Sequence, residues 1–320
     1  MLYSEEVNNN CSDIRSPFTQ GRVAELEKIS TSDLISKYIH QFNIDVSSYF
    51  HGIKTISLYK CNDTTYSFYY PFNIEGDKAF YEHFQQFKWY YMPWKWEHEK
   101  AKNLITENMK ILEVGCAEGD FLMKIKECYN AECIGLEFNE KAIEVANQKG
   151  LKVFSETIEQ HSIKNFNTYD LVCSFQVLEH VSEIKTFLEA QILCLKSGGK
   201  LLISVPNNNS FIGLDFFNNI LNMPPHHMGL WNRKSLSLLS KYFPLKSPLF
   251  YYEPVQPYHR EWYINSLKKN IKDFEKLKFV KLFYNILPVF FQRAFNYFSL
   301  LFLKMIYRKG HTILVVFEKR

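Results

Sequence analysis

The segment Glu113-Val114-Gly115-Cys116-Ala117-Glu118-Gly119 joins a carboxylate to two glycines four positions apart. It follows an apolar run and opens a stretch of helical spacing, the context a nucleotide-binding loop requires. Gly115 has no Cβ, so a ligand can approach its backbone closely, and Gly119 permits the tight turn into the helix. The first N–H groups of that helix are free for polar ligand atoms. A dinucleotide loop places its third glycine five residues after the first. Here that position is Asp120, whose charge would repel a pyrophosphate, and Glu113 adds another acid. A cofactor with a cationic amino-acid end suits both acids better. Glu137, followed by Phe138, ends the next apolar run, Cys133-Ile134-Gly135-Leu136. A carboxylate at that strand end can accept both hydroxyls of a ribose.

Three further stretches follow in order. They are Tyr169-Asp170-Leu171-Val172, Val177-Leu178-Glu179-His180-Val181 and Leu195-Lys196-Ser197-Gly198-Gly199-Lys200-Leu201. With the glycine loop and Glu137, this series resembles the class I S-adenosylmethionine-dependent methyltransferases over roughly 109–252 and the last strand. The Val177–Val181 pattern is similar to the small-molecule branch that includes ubiquinone and menaquinone methyltransferases. Ala117 departs from the pattern, which usually has glycine there. The resemblance implies S-adenosyl-L-methionine as cofactor and a cofactor site made of loop and strand-end residues. Glu113, Gly115, Cys116, Ala117 and Gly119 would surround its methionine end. Glu137 and Phe138 would hold the ribose, and Thr157 and Ile158 would lie against adenine. Phe175 and Gln176 would border the reacting methyl group.

Methyl transfer from a sulfonium is an in-line displacement, so positioning can be the enzyme's main contribution. A base is needed only if the acceptor starts protonated. His180 is the first candidate, because an imidazole with an ordinary pKa near 6.5 can take a proton at neutral pH. The other reading is that Glu179 and His180 brace the next helix. Some quinone-modifying relatives hold a metal near this motif. Only two such ligands are visible here, and no metal is expected. The loop Pro224-Pro225-His226-His227-Met228-Gly229-Leu230-Trp231 supplies the second set. His227 is a second catalytic candidate, and His226, His227 and Trp231 are candidate acceptor contacts. Tyr90 and Tyr91 would contribute from an aromatic group that also includes Phe80, Tyr81, Trp94 and Trp96. Its helical spacing equally suits a packed core, and one face can pack while the other lines a pocket.

The elements that must position these residues follow from periodicity. Strands are expected at 111–114, 133–136, 151–154, 170–175 and 200–205, with helices at 120–128, 140–149 and 183–195 between them. That alternation predicts an α/β, Rossmann-like doubly wound sheet with its ligand crevice beyond the carboxyl strand ends. Ser197-Gly198-Gly199 reads as a turn. Before the sheet, 1–45 is polar and reads as a mobile tail with one helix near 22–39. An N-terminal aromatic cap spans 46–108, with strands at 53–58 and 66–70, a helix capped by Asp77 and a second helix at 94–104. The methyltransferase-like domain takes 109–255 and 310–320. A basic, aromatic helical insertion, 256–309, precedes the last strand at 311–317.

The net charge of +4 alone calls for no polyanion, but the charge is uneven. From Arg260 to Lys309 there are eleven Lys/Arg against three Asp/Glu. Phe279, Phe283, Ile286 and Phe290, and then Phe295, Phe298, Phe302 and Met305, recur there at three or four residues. Such a helix suits either a basic-ended core pair or a membrane surface. A single crossing would strand 311–317 on the wrong side of a bilayer from its sheet. Seven cysteines form no C-x-x-C pair, which disfavours a disulfide framework or zinc site. A reducing cytoplasm is expected, with peripheral contact at the inner face of the membrane through 268–309. The first residues lack a signal-peptide pattern. The expected function is O- or C-methylation of a small, lipid-linked or glycan-linked acceptor. The alternatives are a catalytically inactive cofactor-binding regulator and a nucleic-acid methyltransferase. Nucleic acid is disfavoured because Ser174-Phe175-Gln176-Val177 stands where an Asn-Pro-Pro-Tyr-like tetrapeptide would be expected.

Overall fold

The computed structural model describes residues 14–87, 89–90, 92–215, 219–275, 297–298, 301, 305 and 309–320. The N-terminal part comprises β1 (Val23–Ser30), α1 (Thr31–Phe42), β2 (Thr55–Cys61), β3 (Ser67–Tyr70), α2 (Lys78–Phe84) and α3 (Trp96–Lys102). The alternating part runs β4 (Lys110–Val114), α4 (Asp120–Tyr129), β5 (Glu132–Leu136), α5 (Glu140–Gln148) and β6 (Lys152–Phe154). It continues with α6 (Ile158–Lys164), β7 (Tyr169–Phe175), α7 (Ile184–Cys194) and β8 (Leu195–Pro206). Then come β9 (Gly229–Leu230), α8 (Arg233–Ser237), α9 (Leu239–Tyr242), β10 (Leu249–Pro254), α10 (Arg260–Glu275) and β11 (Lys309–Glu318).

The main sheet has the order β10-β11-β8-β7-β4-β5-β6. The pairs from β8 to β6 are parallel, while β11 pairs antiparallel with β8 and β10. Parallel strands buried on both faces need near-continuous apolar runs, and β4 shows why. Leu112 and Val114 enter one core with Ile134 and Val172, while Ile111 enters the opposite core with Cys133 and Leu171. Helix starts are fixed by side chains. Asn139 Oδ1 accepts from the N–H groups of Lys141 and Ala142, and Thr157 and Gln160 form a reciprocal capping box. The chain reverses its direction across the sheet between β4 and β7, the switch point where a crevice is expected.

A second, antiparallel sheet has the order β1-β2-β3-β9. Two sequence expectations change here. The tail's expected helix near 22–39 is divided: residues 23–30 form the strand β1, and the helix α1 runs over 31–42. β1 pairs with β2 along its length, but its burial pattern is largely exposed, so no apolar stripe announces it. Ser197-Gly198-Gly199 lies within β8 as a bulge: Leu195 pairs with Tyr169 and Lys200 with Leu171. The loop after Pro224 is pinned, because β9 pairs with β3 and Tyr69 N–H donates to Met228 O at 2.9 Å.

The last strand returns to the sheet as expected, with Ile313 beside Val205. In the insertion, Tyr263 and Leu267 of α10 pack on Phe211 and Ile212. Most of the expected apolar run, including Phe279, Phe283, Ile286, Phe290, Phe295 and Phe302, lies outside the described residues. Among the described residues, no helix is long and apolar enough to cross a membrane.

Candidate active site

A cavity of 840 Å³ lies at the carboxyl ends of β4, β5 and β7. That is within the range of small-molecule sites, ~300–1,000 Å³. The glycine loop forms one wall. Gly115 has φ +74°, and a Cβ there would sit 2.6 Å from Val177 Cγ2, so the position needs glycine. Glu137 anchors the loop: its Oε2 accepts from Ala117 N–H at 2.9 Å, and its Oε1 accepts from Phe138 and Asn139 N–H. A carboxylate offers about four lone-pair sites, and these three bonds leave one on Oε2 for a ribose hydroxyl. Glu113 is buried on the cavity wall, and its Oε2 has no hydrogen-bond partner. Burial pushes its carboxyl well above the usual range, although nearby Lys95 opposes that.

Cys116, Ala117, Phe138, Thr157, Ile158, Phe175 and Gln176 also line the cavity. Gly119 does not. It caps α4 with φ +74°, against Leu151, and so shapes the loop from behind. Gln176 has φ +56° and donates through Nε2 to Glu97 Oε1 at 3.3 Å.

Three imidazoles also line the cavity. Ring centroids are 4.8 Å apart for His180–His226, 4.9 Å for His180–His227 and 4.4 Å for His226–His227. His180 Nδ1 lies 2.5 Å from His226 O, and His226 Nδ1 lies 2.7 Å from Leu221 O. Carbonyl oxygens only accept, so each Nδ1 carries the proton and each Nε2 keeps its lone pair. His226 Nε2 is 2.7 Å from Tyr90 Oη. The ordinary pKa expected for His180 is corrected: burial lowers it to about 4, against hydrogen bonds that raise it. His226 and His227 are likewise held well below 6.5 by burial.

Tyr90 and Tyr81 line the cavity, while Phe80 and Phe84 pack beneath them. Trp94 and Trp96 pack against the main core. Trp231 is the clearest misplacement among the candidate contacts. It is fully buried, off the cavity lining, with its ring 4.2 Å from that of Tyr66. Tyr91 lies outside the described residues.

The methyltransferase-domain family matches residues 89–243. Ubiquinone biosynthesis O-methyltransferase of Vibrio parahaemolyticus is 32% identical over 117 residues, 35% of this chain and 48% of that protein. The mitochondrial ubiquinone biosynthesis O-methyltransferase of Dictyostelium discoideum is 25% identical over 146 residues, 39% of this chain and 46% of that protein. This chain carries a class I S-adenosylmethionine-dependent methyltransferase domain. The matches span under half the length of those curated relatives. Among solved structures, a SAM dependent methyltransferase from Archaeoglobus fulgidus aligns with a TM-score of 0.48 at 17% identity, covering 69% of this chain and 94% of that one.

The residues present fit the cofactor of such a domain. The partnerless Glu113 oxygen suits an ammonium group, and the loop backbone at Gly115 is open to close approach. The cavity is also lined by residues that the sequence reading missed. Lys95, Glu97 and His98, at the start of α3, line the cavity. So do Glu253, His259 and His311, at the β10 and β11 ends. Burial lowers His98 to about 3, and Lys95 adds to that. Burial also raises Glu179 to about 8 and Glu253 to about 7. The helix containing Glu97 and His98 was expected, but no spacing tied it to the glycine loop. His311 reaches the site only because β11 crosses back beside β8.

Proposed function

We propose that the protein methylates an oxygen or carbon of a small or lipid-linked acceptor. The observation that supports this best is that Glu113 and Glu137 line the same cavity as His180, His226 and His227. When bound, S-adenosylmethionine supplies a methyl group already activated on a sulfonium. Glu137 would accept from a ribose hydroxyl through Oε2, and Glu113 would face the ammonium end. Thr157 and Ile158 lie against the adenine, while Phe175 and Gln176 border the methyl group. His180 is neutral near pH 7, so its Nε2 accepts a hydrogen bond from an acceptor hydroxyl and aims the oxygen. His227 assists from the pinned loop, and Tyr90 and His226 close the acceptor side. Such positioning supplies up to ~7–11 kcal/mol in favourable cases.

A lipid-linked acceptor is supported by the half-exposed Trp89 on the cavity lining and by exposed Tyr297, Phe298, Leu301 and Met305. With Lys268 exposed on α10, these suit peripheral contact with an anionic membrane. The test is transfer of labelled methyl from the donor to fractionated small molecules and lipids. We expect a labelled product from the wild-type protein and at least tenfold slower turnover for His180→Ala, with donor affinity kept. Donor binding with no labelled product in any fraction would favour a regulatory role instead.

A further inference from the structure

We propose that His180, His226 and His227 form a binding site for one divalent transition-metal ion, open to the acceptor side of the cavity. One ring nitrogen from each lies within 4.8 Å of the others. An ion 2.0–2.1 Å from three nitrogens in tetrahedral array needs them about 3.4 Å apart. Binding therefore draws the rings together by about 1 Å.

Two features distinguish this group from histidines packed for bulk. The first is the tautomer. His180 and His226 turn Nδ1 to carbonyl oxygens, and His227 Nδ1 lies 3.1 Å from Asn222 Oδ1. The Asn222 amide is oriented by donating through Nδ2 to Asn208 Oδ1 at 2.8 Å. Asn208 in turn donates to Trp231 O at 3.1 Å. Every Nε2 therefore keeps a lone pair, and a ligating histidine characteristically gives its other N–H to an oxygen in this way. The second is an unpartnered carboxyl. Glu179, next to His180, is buried and lines the same cavity, with neither carboxyl oxygen hydrogen-bonded.

Imidazole donors suit Zn²⁺, Fe²⁺, Ni²⁺ or Cu²⁺ better than Mg²⁺ or Ca²⁺. Three protein ligands leave a position for an oxygen of water or acceptor, as in catalytic zinc sites. Tyr90 Oη, now on His226 Nε2, must give up that hydrogen bond or join the ion. The sequence showed only Glu179 and His180 together; the pinned loop brings the other two histidines. This inference rests on the proposed acceptor site and modifies one contact in it: a bound ion would take the His180 Nε2 lone pair, and the acceptor oxygen would meet the ion in place of that nitrogen. Its test is separate from donor binding.

The full-length protein, stripped with chelator, is titrated with Zn²⁺ by calorimetry and with Co²⁺ by visible absorption. The expected result is one ion per chain and the Co²⁺ bands of a four- or five-coordinate nitrogen site. His180→Ala and His227→Ala should each weaken Zn²⁺ binding at least tenfold. His259→Ala, in the neighbouring His259–His311 pair, should change it less than twofold. S-Adenosylhomocysteine binding is measured on every variant, so that an unfolded variant or a failed donor site is recognised apart from a failed metal site. Absence of Zn²⁺ binding, or unchanged affinity in both the His180 and His227 variants, overturns the proposal. If those variants do not fold, the Co²⁺ spectrum of the unaltered protein decides. Bands of an all-oxygen octahedral site would then overturn it.

Discussion

At the scale of single residues, Ala117 shows how the glycine loop tolerates a departure from its usual composition. Its φ is +47°, a region that costs a residue with a Cβ roughly 1–2 kcal/mol. Glu137 Oε2 holds its N–H there at 2.9 Å, so the conformation persists despite the strain. Ala117→Gly should therefore raise stability by about 1 kcal/mol in urea unfolding, with donor affinity unchanged or improved. A loss of stability would show that the alanine methyl makes contacts that outweigh the strain. Gly115, Glu113 and Glu137 were readable from spacing because the loop is local in sequence. Trp231 was not: an aromatic after two histidines looks the same whether it faces a cavity or stacks on Tyr66. The histidine trio was equally hidden, since 46 residues separate His180 from His226.

At the scale of elements, the acceptor wall depends on the short strand β9. Gly229 N–H donates to Glu179 O at 2.9 Å, and Phe68 pairs with Gly229 across β3. A Cβ at Gly229 would lie 2.1 Å from Tyr66 Oη. Gly229→Ala should thus push the loop off β3 and displace His226 and His227, while the glycine loop stays intact. We expect turnover to fall at least tenfold, with the affinity for S-adenosylhomocysteine within twofold of wild type. Equal loss of both would mean that the two walls of the cavity are not separable. The strand and helix alternation from β4 to β8 was legible because buried parallel strands are apolar on both faces. β1 escaped because the strand is mostly exposed, leaving its backbone pairing with β2 unmarked by any apolar pattern. The cap's contribution of Lys95, Glu97 and His98 escaped because it is a matter of packing between distant segments.

At the scale of the whole molecule, the buried titratable groups set how stability varies with pH. Burial lowers His98, His180, His226, His227, His259 and His311. The unfolded chain binds protons at these sites from about pH 6.5 downward while the folded protein does not, so stability falls as pH drops through that range. Burial raises Glu113, Glu179 and Glu253. Those carboxyls keep protons in the folded state that the unfolded chain has already lost, so stability falls as pH rises from about 4.5 toward 8. Six histidines outnumber three carboxyls between pH 4.5 and 6.5, and only the carboxyls act above it. The melting temperature of the ligand-free protein should therefore peak near pH 6.5. It should drop steeply toward pH 5 and more gently toward pH 8. A profile still rising between pH 7 and 8 would contradict the burial of Glu179 and Glu253.

The central claim is that the ends of β4 and β5 hold the methyl donor. Isothermal titration of the purified full-length protein with S-adenosylhomocysteine tests it most directly, alongside Glu137→Ala. We predict one site per chain in the wild-type protein and at least tenfold weaker binding in the variant, whose circular dichroism spectrum should match wild type. No binding to the folded wild-type protein, or equal affinity in the variant, would contradict the account.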